Sequence, residues 1–388
     1  MASSSPSLFS QTTFITITSI LLLLLSSLSS ASTSNTTTHP RPFKTIYAFG
    51  DSYTDTGNTE SATGPNAFTY VSHLPYGSTY FHHPTNRYSD GRLMIDFVSQ
   101  TLSLPFLPPY RNRNADKSYG VNFAVAGCTA IEHSFFVKNN LTLNITPQSL
   151  GTQLVWFNKF LEGKGCIGAT ATPECTAVFK DALIWVGEIG ANDYAYSVGS
   201  SVPSKTIRQL AINTVTGFLQ ALLKKGAKYL VVQGLPTTGC LTMSMVLASE
   251  DDRDDMGCVG SVNKQSFVHN TILQSKLRDL RKQFPHSVIV YADYWNTCKT
   301  IIKNAKYYGF NEVFKACCGS GGGPYNFDLF NACGSSASSS CPNPSQFINW
   351  DGVHLTEAMY KVVSDSFLSG TSSHPPFDYL LSRKQQSG

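Results

Sequence analysis

The sequence predicts an α/β fold in which helices cover both faces of a parallel sheet. Short apolar runs such as Ile46–Phe49 and Ala182–Val186 end in glycine-containing turns, as buried parallel strands do. Segments with apolar residues at helical spacing separate these runs along the chain. Because no internal repeat and no linker divides the 388 residues, we expect a single domain over residues 44–370.

The N-terminus differs from the rest of the chain. Residues 13–25 form an apolar run that ends in five leucines, and small residues follow. This pattern is typical of a secretory signal peptide, although no Lys or Arg precedes the run. We predict a signal peptide over residues 1–31 and a flexible segment over 32–43. Because the run is short for a spanning helix, we expect a secreted protein, extracellular or in the cell wall, with no integral membrane segment.

The composition allows a large core and does not favour a polyanionic partner. The chain is 41% hydrophobic and 14% charged, and its formal net charge is +4. A net charge this small and this dispersed gives no argument for binding nucleic acid or an acidic membrane surface.

Ten cysteines lie in the predicted mature chain. An even number in a secreted protein favours disulfides. Cys166 and Cys175 close a short loop and are the first pair to propose, and Cys240 with Cys258 is the next. Cys128 lies in an apolar stretch and is a candidate buried free thiol, which would leave a second cysteine unpaired. Zinc binding is a weak alternative because the chain has neither a CxxC pair nor an HExxH motif, so we predict no metal.

Three Asn-x-Thr sequons fit a secreted glycoprotein. Their asparagines are Asn35, Asn140 and Asn144. Each motif is only three residues long, so an unmodified surface loop is the alternative for each.

The first predicted strand, Thr45–Phe49, ends at the turn pair Gly50-Asp51, and Ser52 follows at once. In an open α/β sheet, ligands bind at the carboxyl ends of the strands. Ser52 is therefore a candidate nucleophile. A serine that caps a helix N-terminus is the alternative.

The remaining elements follow in order. Residues 59–88 are rich in Gly, Pro, Asn, His and aromatics without periodicity, which predicts a long loop over the edge of the sheet. Further strands are predicted at 119–125, 182–186, 229–232 and 288–291. Helices are predicted at 94–104, 148–161, 207–222, 263–284 and 356–368, the last with Thr356 as its cap.

Other segments carry weaker patterns. The apolar stripe predicted for the helix over 263–284 consists of Phe267, Leu273, Leu277, Leu280 and Phe284. Residues 317–341 are rich in Gly, Ser and Cys, so this loop would need disulfides for order. Residues 371–388 are predicted to be a C-terminal tail with little to bury.

Asp351 and His354 lie three residues apart, just before the last predicted helix. At this spacing the carboxylate can hydrogen-bond one imidazole nitrogen and fix the tautomer, which leaves the other nitrogen free as a base. A serine hydroxyl needs such a base to become a nucleophile. Ser52, His354 and Asp351 would form a triad if the fold joins the two ends of the chain. An ordinary loop histidine is the alternative for His354.

An acyl-transfer site also needs hydrogen-bond donors for the oxyanion. The backbone N–H of Ser52, the tight backbone at Gly127 and the side-chain amide of Asn192 are candidates, since the last two also follow predicted strands. A turn glycine and a turn asparagine are the alternatives.

Four motifs in this order resemble a known family. Gly50-Asp-Ser-Tyr53 resembles the GDSL signature of the GDSL esterase/lipases, also called SGNH hydrolases. Three further segments resemble the second, third and fifth blocks of that family: Asn122–Gly127, Gly190–Asp193 and Asp351–His354. Segments similar to the plant branch are Leu235–Cys240, Tyr291–Asp293 and Cys317–Gly319. The resemblance covers roughly residues 44–368.

The resemblance implies a flavodoxin-like three-layer α/β/α fold with one catalytic domain. It implies Ser52 as nucleophile, His354 as base and Asp351 as the residue that orients the base. The implied oxyanion hole consists of Ser52, Gly127 and Asn192. No metal or organic cofactor is implied.

The sequence departs from the family pattern at three places. Tyr53 replaces the leucine of the signature, Cys128 stands where a small alanine is common, and Thr237-Thr238 replaces a usual Pro-Leu. No GxSxG motif occurs in the chain, which argues against the nucleophile elbow of an α/β-hydrolase.

The expected activity is that of a secreted serine carboxylic ester hydrolase acting through an acyl-enzyme. An acyltransferase is one alternative because its first half-reaction is identical. A catalytically silent secreted binding glycoprotein is the other. We expect a small-molecule or polysaccharide ester as substrate, while the sequence leaves its acyl chain length and the oligomeric state open.

Overall fold

Residues 41–60, 70–141 and 146–386, together with Met1, are described by a computed structural model of the chain. The predicted signal peptide over residues 1–31 lies outside the described residues, apart from Met1. Asn35 and Asn144 also lie outside them. Asn140 is described and exposed.

The strands fall into one large sheet and two small ones. Their bounds are β1 Thr45–Phe49, β2 Gly120–Asn122, β3 Ala182–Val186, β4 Tyr229–Gln233, β5 Val288–Ala292, β6 Glu312–Ala316, β7 Cys318–Gly319, β8 Ser339–Ser340, β9 Phe347–Asn349 and β10 Ser373–His374. The large sheet has the order β10-β5-β4-β3-β1-β2. Strands β1 to β5 are parallel, and β10 pairs with β5 in the antiparallel sense.

Helices connect the strands and cover the large sheet. Their bounds are α1 Met94–Thr101, α2 His133–Lys138, α3 Leu150–Glu162, α4 Pro173–Phe179, α5 Ala191–Ala195, α6 Ser204–Lys224, α7 Thr242–Leu247, α8 Gly260–Gln283, α9 Tyr294–Lys303, α10 Glu357–Leu368 and α11 Phe377–Gln386. Thr356 caps α10 as predicted, because its hydroxyl accepts a hydrogen bond of 3.2 Å from the Met359 amide. The prediction of an α/β fold with a mainly parallel sheet is confirmed.

Each face of the sheet has its own hydrophobic core. Tyr47 and Phe49 of β1 belong to the core under α3, α6 and α8, whereas Ile46 and Ala48 belong to the core under α1, α9 and α10. Successive side chains of a strand point to opposite faces. A strand buried on both faces therefore needs a continuous apolar run, which is why these strands can be predicted from the sequence.

The stripe predicted for α8 is right in its centre and wrong at its start. Leu273, Leu277 and Leu280 are buried, but Phe267 is 48% exposed and contacts the ring of Trp295. Phe267 lies six residues before Leu273, which places it well away from the buried face at 3.6 residues per turn.

The prediction that residues 371–388 form a tail with little to bury is wrong. Ser373 and His374 form β10 on the edge of the sheet, and Phe377 and Leu380 of α11 are buried. The Lys384 ammonium lies 2.8 Å from a carboxylate oxygen of Asp181. A two-residue strand and one apolar pair were too short to stand out as a pattern.

Four disulfides are present among the described residues. The predicted pairs Cys166–Cys175 and Cys240–Cys258 are confirmed. The cysteine-rich loop is held by two further bonds, Cys317–Cys341 and Cys318–Cys333. Cys128 is a buried free thiol as predicted, and Cys298 is the second unpaired cysteine.

No helix within the described part of the chain has both the length and the apolarity that crossing a membrane requires.

Candidate active site

The turn after β1 presents Ser52 to the carboxyl end of the sheet. Gly50 adopts a φ of 142°, which side-chain-bearing residues rarely adopt. A Cβ atom at Gly50 would also lie only 3.3 Å from the Gly187 Cα atom after β3. The glycine thus lets the chain turn sharply against the neighbouring strand end, and Ser52 is placed there with 4% of its surface exposed.

Ser52, His354 and Asp351 form one chain of hydrogen bonds. The Ser52 Oγ atom lies 2.7 Å from Nε2 of His354, and Nδ1 of His354 lies 2.7 Å from Oδ2 of Asp351. The other oxygen of Asp351 accepts the backbone N–H groups of Val353 and His354 at 3.0 and 2.7 Å. A carboxylate on Nδ1 leaves Nε2 free to accept the hydroxyl proton of Ser52.

Asp351 is ionised although it is buried. Burial alone would raise the pKa of Asp351, but the His354 imidazole, its hydrogen bonds and a hydrogen bond from Tyr76 outweigh burial and hold that pKa below its usual value. The site therefore holds a permanent negative charge beside the imidazole.

Three tyrosines surround this chain of hydrogen bonds, and sequence reasoning assigned none of them a role. The Tyr76 hydroxyl donates to Oδ2 of Asp351 at 2.8 Å. The Tyr88 ring lies 4.7 Å from the His354 ring, centroid to centroid, and the Tyr53 hydroxyl donates to the Val353 carbonyl at 2.7 Å. For Tyr76 and Tyr88 the available signal was the high aromatic content of the loop over residues 59–88, which does not single out a residue. For Tyr53 it was the departure from the leucine of the family signature.

The Asn192 side chain contacts residues adjacent to the other two predicted oxyanion donors. Gly127 has a φ of 73°, which suits the tight turn predicted for it. The Asn192 side-chain amide donates to Oδ2 of Asp51 at 2.9 Å and to the Cys128 carbonyl at 3.0 Å. Asn192 thus bridges the residue before Ser52 and the residue after Gly127.

Gln153 of α3 connects the first two motifs. Its side-chain oxygen accepts the Gly50 N–H at 3.0 Å, and its side-chain nitrogen donates to the Gly50 carbonyl at 2.7 Å and to the Cys128 sulfur at 3.0 Å. Burial raises the pKa of the Cys128 thiol well above its usual value. The thiol is therefore a protonated packing group without the thiolate character that oxidation requires.

A second pair of buried carboxyl groups lies beside the site. Asp51 and Glu188 are each 1% exposed, and the two groups lie near enough to influence each other's charge. Burial raises the pKa of Asp51 to about 6 and raises the pKa of Glu188 well above its usual range, with the charge of Asp51 as the next cause. Burial thus favours the protonated form of Glu188, while Asp51 accepts the hydrogen bond from Asn192.

Residues suited to holding a metal are not grouped in this site. Among the described residues, no cluster of three or more His, Cys, Asp or Glu side chains could hold a metal ion.

Comparisons with known proteins agree with the four motifs. The model of the GDSL-like Lipase/Acylhydrolase family matches residues 46–367. GDSL esterase/lipase At3g48460 of Arabidopsis thaliana is 58% identical over 351 residues, which cover 89% of this chain and 90% of that protein. GDSL esterase/lipase At1g28600 of the same plant is 40% identical and covers 88% of each chain. Acetylajmalan esterase of Rauvolfia serpentina is 38% identical over 85% of this chain and 86% of its own length. A match across nearly the whole described fold means that the chain belongs to the GDSL-like lipase/acylhydrolase family of carboxylic ester hydrolases.

Proposed function

We propose that the protein is a secreted serine ester hydrolase that acts through an acyl-enzyme on Ser52. One observation carries this proposal: the Ser52 hydroxyl, both nitrogens of His354 and Asp351 are linked by two hydrogen bonds of 2.7 Å. A serine hydroxyl that is hydrogen-bonded to an imidazole, which is in turn hydrogen-bonded to a carboxylate, is the arrangement that nucleophilic acyl transfer needs.

In the first half-reaction, His354 Nε2 takes the proton of Ser52 as Oγ bonds to the ester carbonyl carbon. The carbonyl oxygen becomes an oxyanion, and Asp351 stabilises the imidazolium that forms. His354 then gives its proton to the alcohol oxygen as the ester C–O bond breaks. Alcohol leaves, and the acyl group stays on Ser52.

In the second half-reaction, His354 takes a proton from water, whose oxygen attacks the acyl carbon. The bond to Ser52 Oγ breaks as His354 returns the proton to that atom. The products are the free acid and the original enzyme.

The backbone N–H groups of Ser52 and Gly127 and the amide of Asn192 are the proposed donors to the oxyanion. Both donor hydrogens of Asn192 already have acceptors, Asp51 Oδ2 and the Cys128 carbonyl. Asp51 carries the negative charge and is the stronger acceptor. We therefore expect the oxyanion to take the hydrogen bond now made to the Cys128 carbonyl.

A short acyl group on a small molecule or a wall polysaccharide is the proposed substrate class. Ser52 and His354 are 4% and 3% exposed, so little of either side chain is open to solvent. One relative is named for an acetylated compound, which supports this substrate class.

Export is part of the proposal. Four disulfides among the described residues favour an oxidising compartment. Asn140 is exposed, as a glycosylated asparagine must be.

A chain-length series of p-nitrophenyl esters, from acetate to palmitate, tests the proposal. The wild-type protein should cleave short esters, and Ser52→Ala should lose at least about 10³-fold in kcat while it remains folded. An organophosphorus probe should label the wild-type protein and not Ser52→Ala. Near-wild-type cleavage by Ser52→Ala would exclude the acyl-enzyme, and transfer to an added alcohol without release of acid would indicate a transferase.

A further inference from the structure

The Asp351 carboxylate has a hydrogen-bond partner that a Ser–His–Asp triad does not require. The Tyr76 hydroxyl donates at 2.8 Å to Oδ2 of Asp351, the same oxygen that faces Nδ1 of His354 at 2.7 Å. The other oxygen of Asp351 is occupied by two backbone N–H groups. Tyr76 thus completes a set of four donors that fixes the carboxylate in one orientation.

Tyr76 is itself held rigidly. Tyr76 is 5% exposed. Its ring packs edge-on against Tyr88 at a centroid distance of 6.1 Å and against Trp350, the residue directly before Asp351, at 6.0 Å. A Cβ atom on the following residue, Gly77, would lie 2.2 Å from the His83 carbonyl oxygen. The backbone beside Tyr76 therefore has little room to move.

We propose that Tyr76 is a positioning residue for catalysis, which holds the Asp351 carboxylate against Nδ1 of His354. This inference rests on the proposed function, in which His354 acts as the base. Tyr76 has no part in bond making, since its hydroxyl reaches Asp351 and not Ser52.

The hydroxyl remains a donor across the working pH range. Burial raises the pKa of Tyr76 well above its usual value, and the neighbouring Asp351 charge raises it further. Other titratable groups also lie near the Asp351–His354 pair, and they stay unchanged when only Tyr76 is altered: Tyr53, Tyr88, Tyr360 and Asp51.

Removing the hydroxyl leaves Asp351 with three of its four donors. The carboxylate is then free to rotate away from Nδ1, so the rate of proton transfer falls. Because Tyr76 does not contact the proposed reacting atoms, substrate binding should not change.

Steady-state kinetics of Tyr76→Phe test the proposal. We expect kcat on p-nitrophenyl acetate to fall about tenfold with KM unchanged. Tyr47→Phe is the matched control, because Tyr47 is a buried phenol in the core around α3 and contacts Phe157 and Phe160. A wild-type kcat in Tyr76→Phe would overturn the proposal.

A double-mutant cycle with Asp351→Asn separates positioning from general packing. If Tyr76 acts through Asp351, adding Tyr76→Phe to Asp351→Asn should cause no further loss of kcat. Equal losses in both backgrounds would show that the phenol serves only the fold, and would also overturn the proposal.

An NMR measurement on His354 keeps the test independent of the reaction. If the wild-type protein cleaves no ester and its Ser52 does not react with the organophosphorus probe, the proposed function fails. The chemical shift of the His354 Nδ1–H proton, compared between wild type and Tyr76→Phe, still decides the inference, because it reports the hydrogen bond to Asp351. A changed shift in Tyr76→Phe supports the inference, and an identical shift contradicts it.

Discussion

The Tyr53 hydroxyl donates a hydrogen bond of 2.7 Å to the backbone carbonyl of Val353, 300 residues further along the chain. This bond joins the residue after Ser52 to the residue before His354. Tyr53 stands where the family signature has leucine, and a leucine side chain cannot make this hydrogen bond. The tyrosine in place of leucine thus adds a hydrogen bond between the two chain segments that carry the proposed triad.

Tyr53→Phe should remove this hydrogen bond and leave the Val353 carbonyl without the Tyr53 donor. We expect a loss of about 1 to 2 kcal/mol in the free energy of unfolding and a several-fold fall in kcat. Urea denaturation and ester hydrolysis measure the two effects. Tyr379→Phe on α11, where the side chain is 47% exposed, is the control and should change neither.

Gly352→Ala should impair the turn between Asp351 and His354. Gly352 has a φ of 92°, and an added Cβ would lie 2.2 Å from the Phe327 ring. Both strain and a steric clash oppose alanine, so we expect kcat to fall at least about tenfold and the unfolding free energy to drop by at least about 2 kcal/mol.

Gly309→Ala is the matched control for that substitution. Gly309 has a φ of 88°, and no atom lies within 4 Å of an added Cβ. Its alanine variant should show only the cost of the backbone strain, about 1 kcal/mol. Equal losses at both positions would mean that Phe327 contributes nothing.

Glu188→Gln should make the stability of the protein less dependent on pH. Because burial raises the pKa of Glu188 above its unfolded value of 4.5, this carboxyl group contributes stability below that pH and loses the contribution as pH rises. A glutamine side chain does not titrate, so it makes no pH-dependent contribution of this kind. We expect Glu188→Gln to match wild type near pH 4 and to gain stability over it, by about 1.4 kcal/mol per pH unit at most, as pH rises toward neutrality.

Urea denaturation of both proteins at about pH 4 and about pH 7.5 measures this gain. Glu162→Gln is the control, since Glu162 is exposed at the end of α3. A stability difference that is the same at both pH values would argue against a protonated Glu188.

Gln153→Met should loosen the turn that carries Ser52. Methionine is similar in size but cannot bond to the backbone of Gly50. The Gly50 N–H would lose its buried partner, and the Gly50 carbonyl would keep only the Val125 N–H at 3.3 Å. We expect a loss of about 2 to 4 kcal/mol in the unfolding free energy and a lower kcat in the folded protein. Gln220→Met, which removes only an exposed hydrogen bond to Gln283, should be close to neutral.

The strands were predictable because burial on both faces makes them continuous apolar runs. Ala182–Val186 shows this directly, since all five residues are buried and the predicted bounds match β3. Two disulfides were predictable because their cysteines lie only 9 and 18 residues apart. Phe267 and the C-terminal residues were mispredicted where a pattern was incomplete or very short.

The sequence by itself determined the α/β architecture, the order of the four motifs and the identity of Ser52, Asp351 and His354 as candidates. These features depend on local periodicity and on residue types at fixed spacing, which a linear chain displays. Only the tertiary structure decided which distant side chains contact the residues of the four motifs. Tyr76 lies 275 residues from Asp351, and Asn192 lies 141 residues from Asp51. Contacts of this kind arise from strand order and loop packing, and no local pattern encodes either.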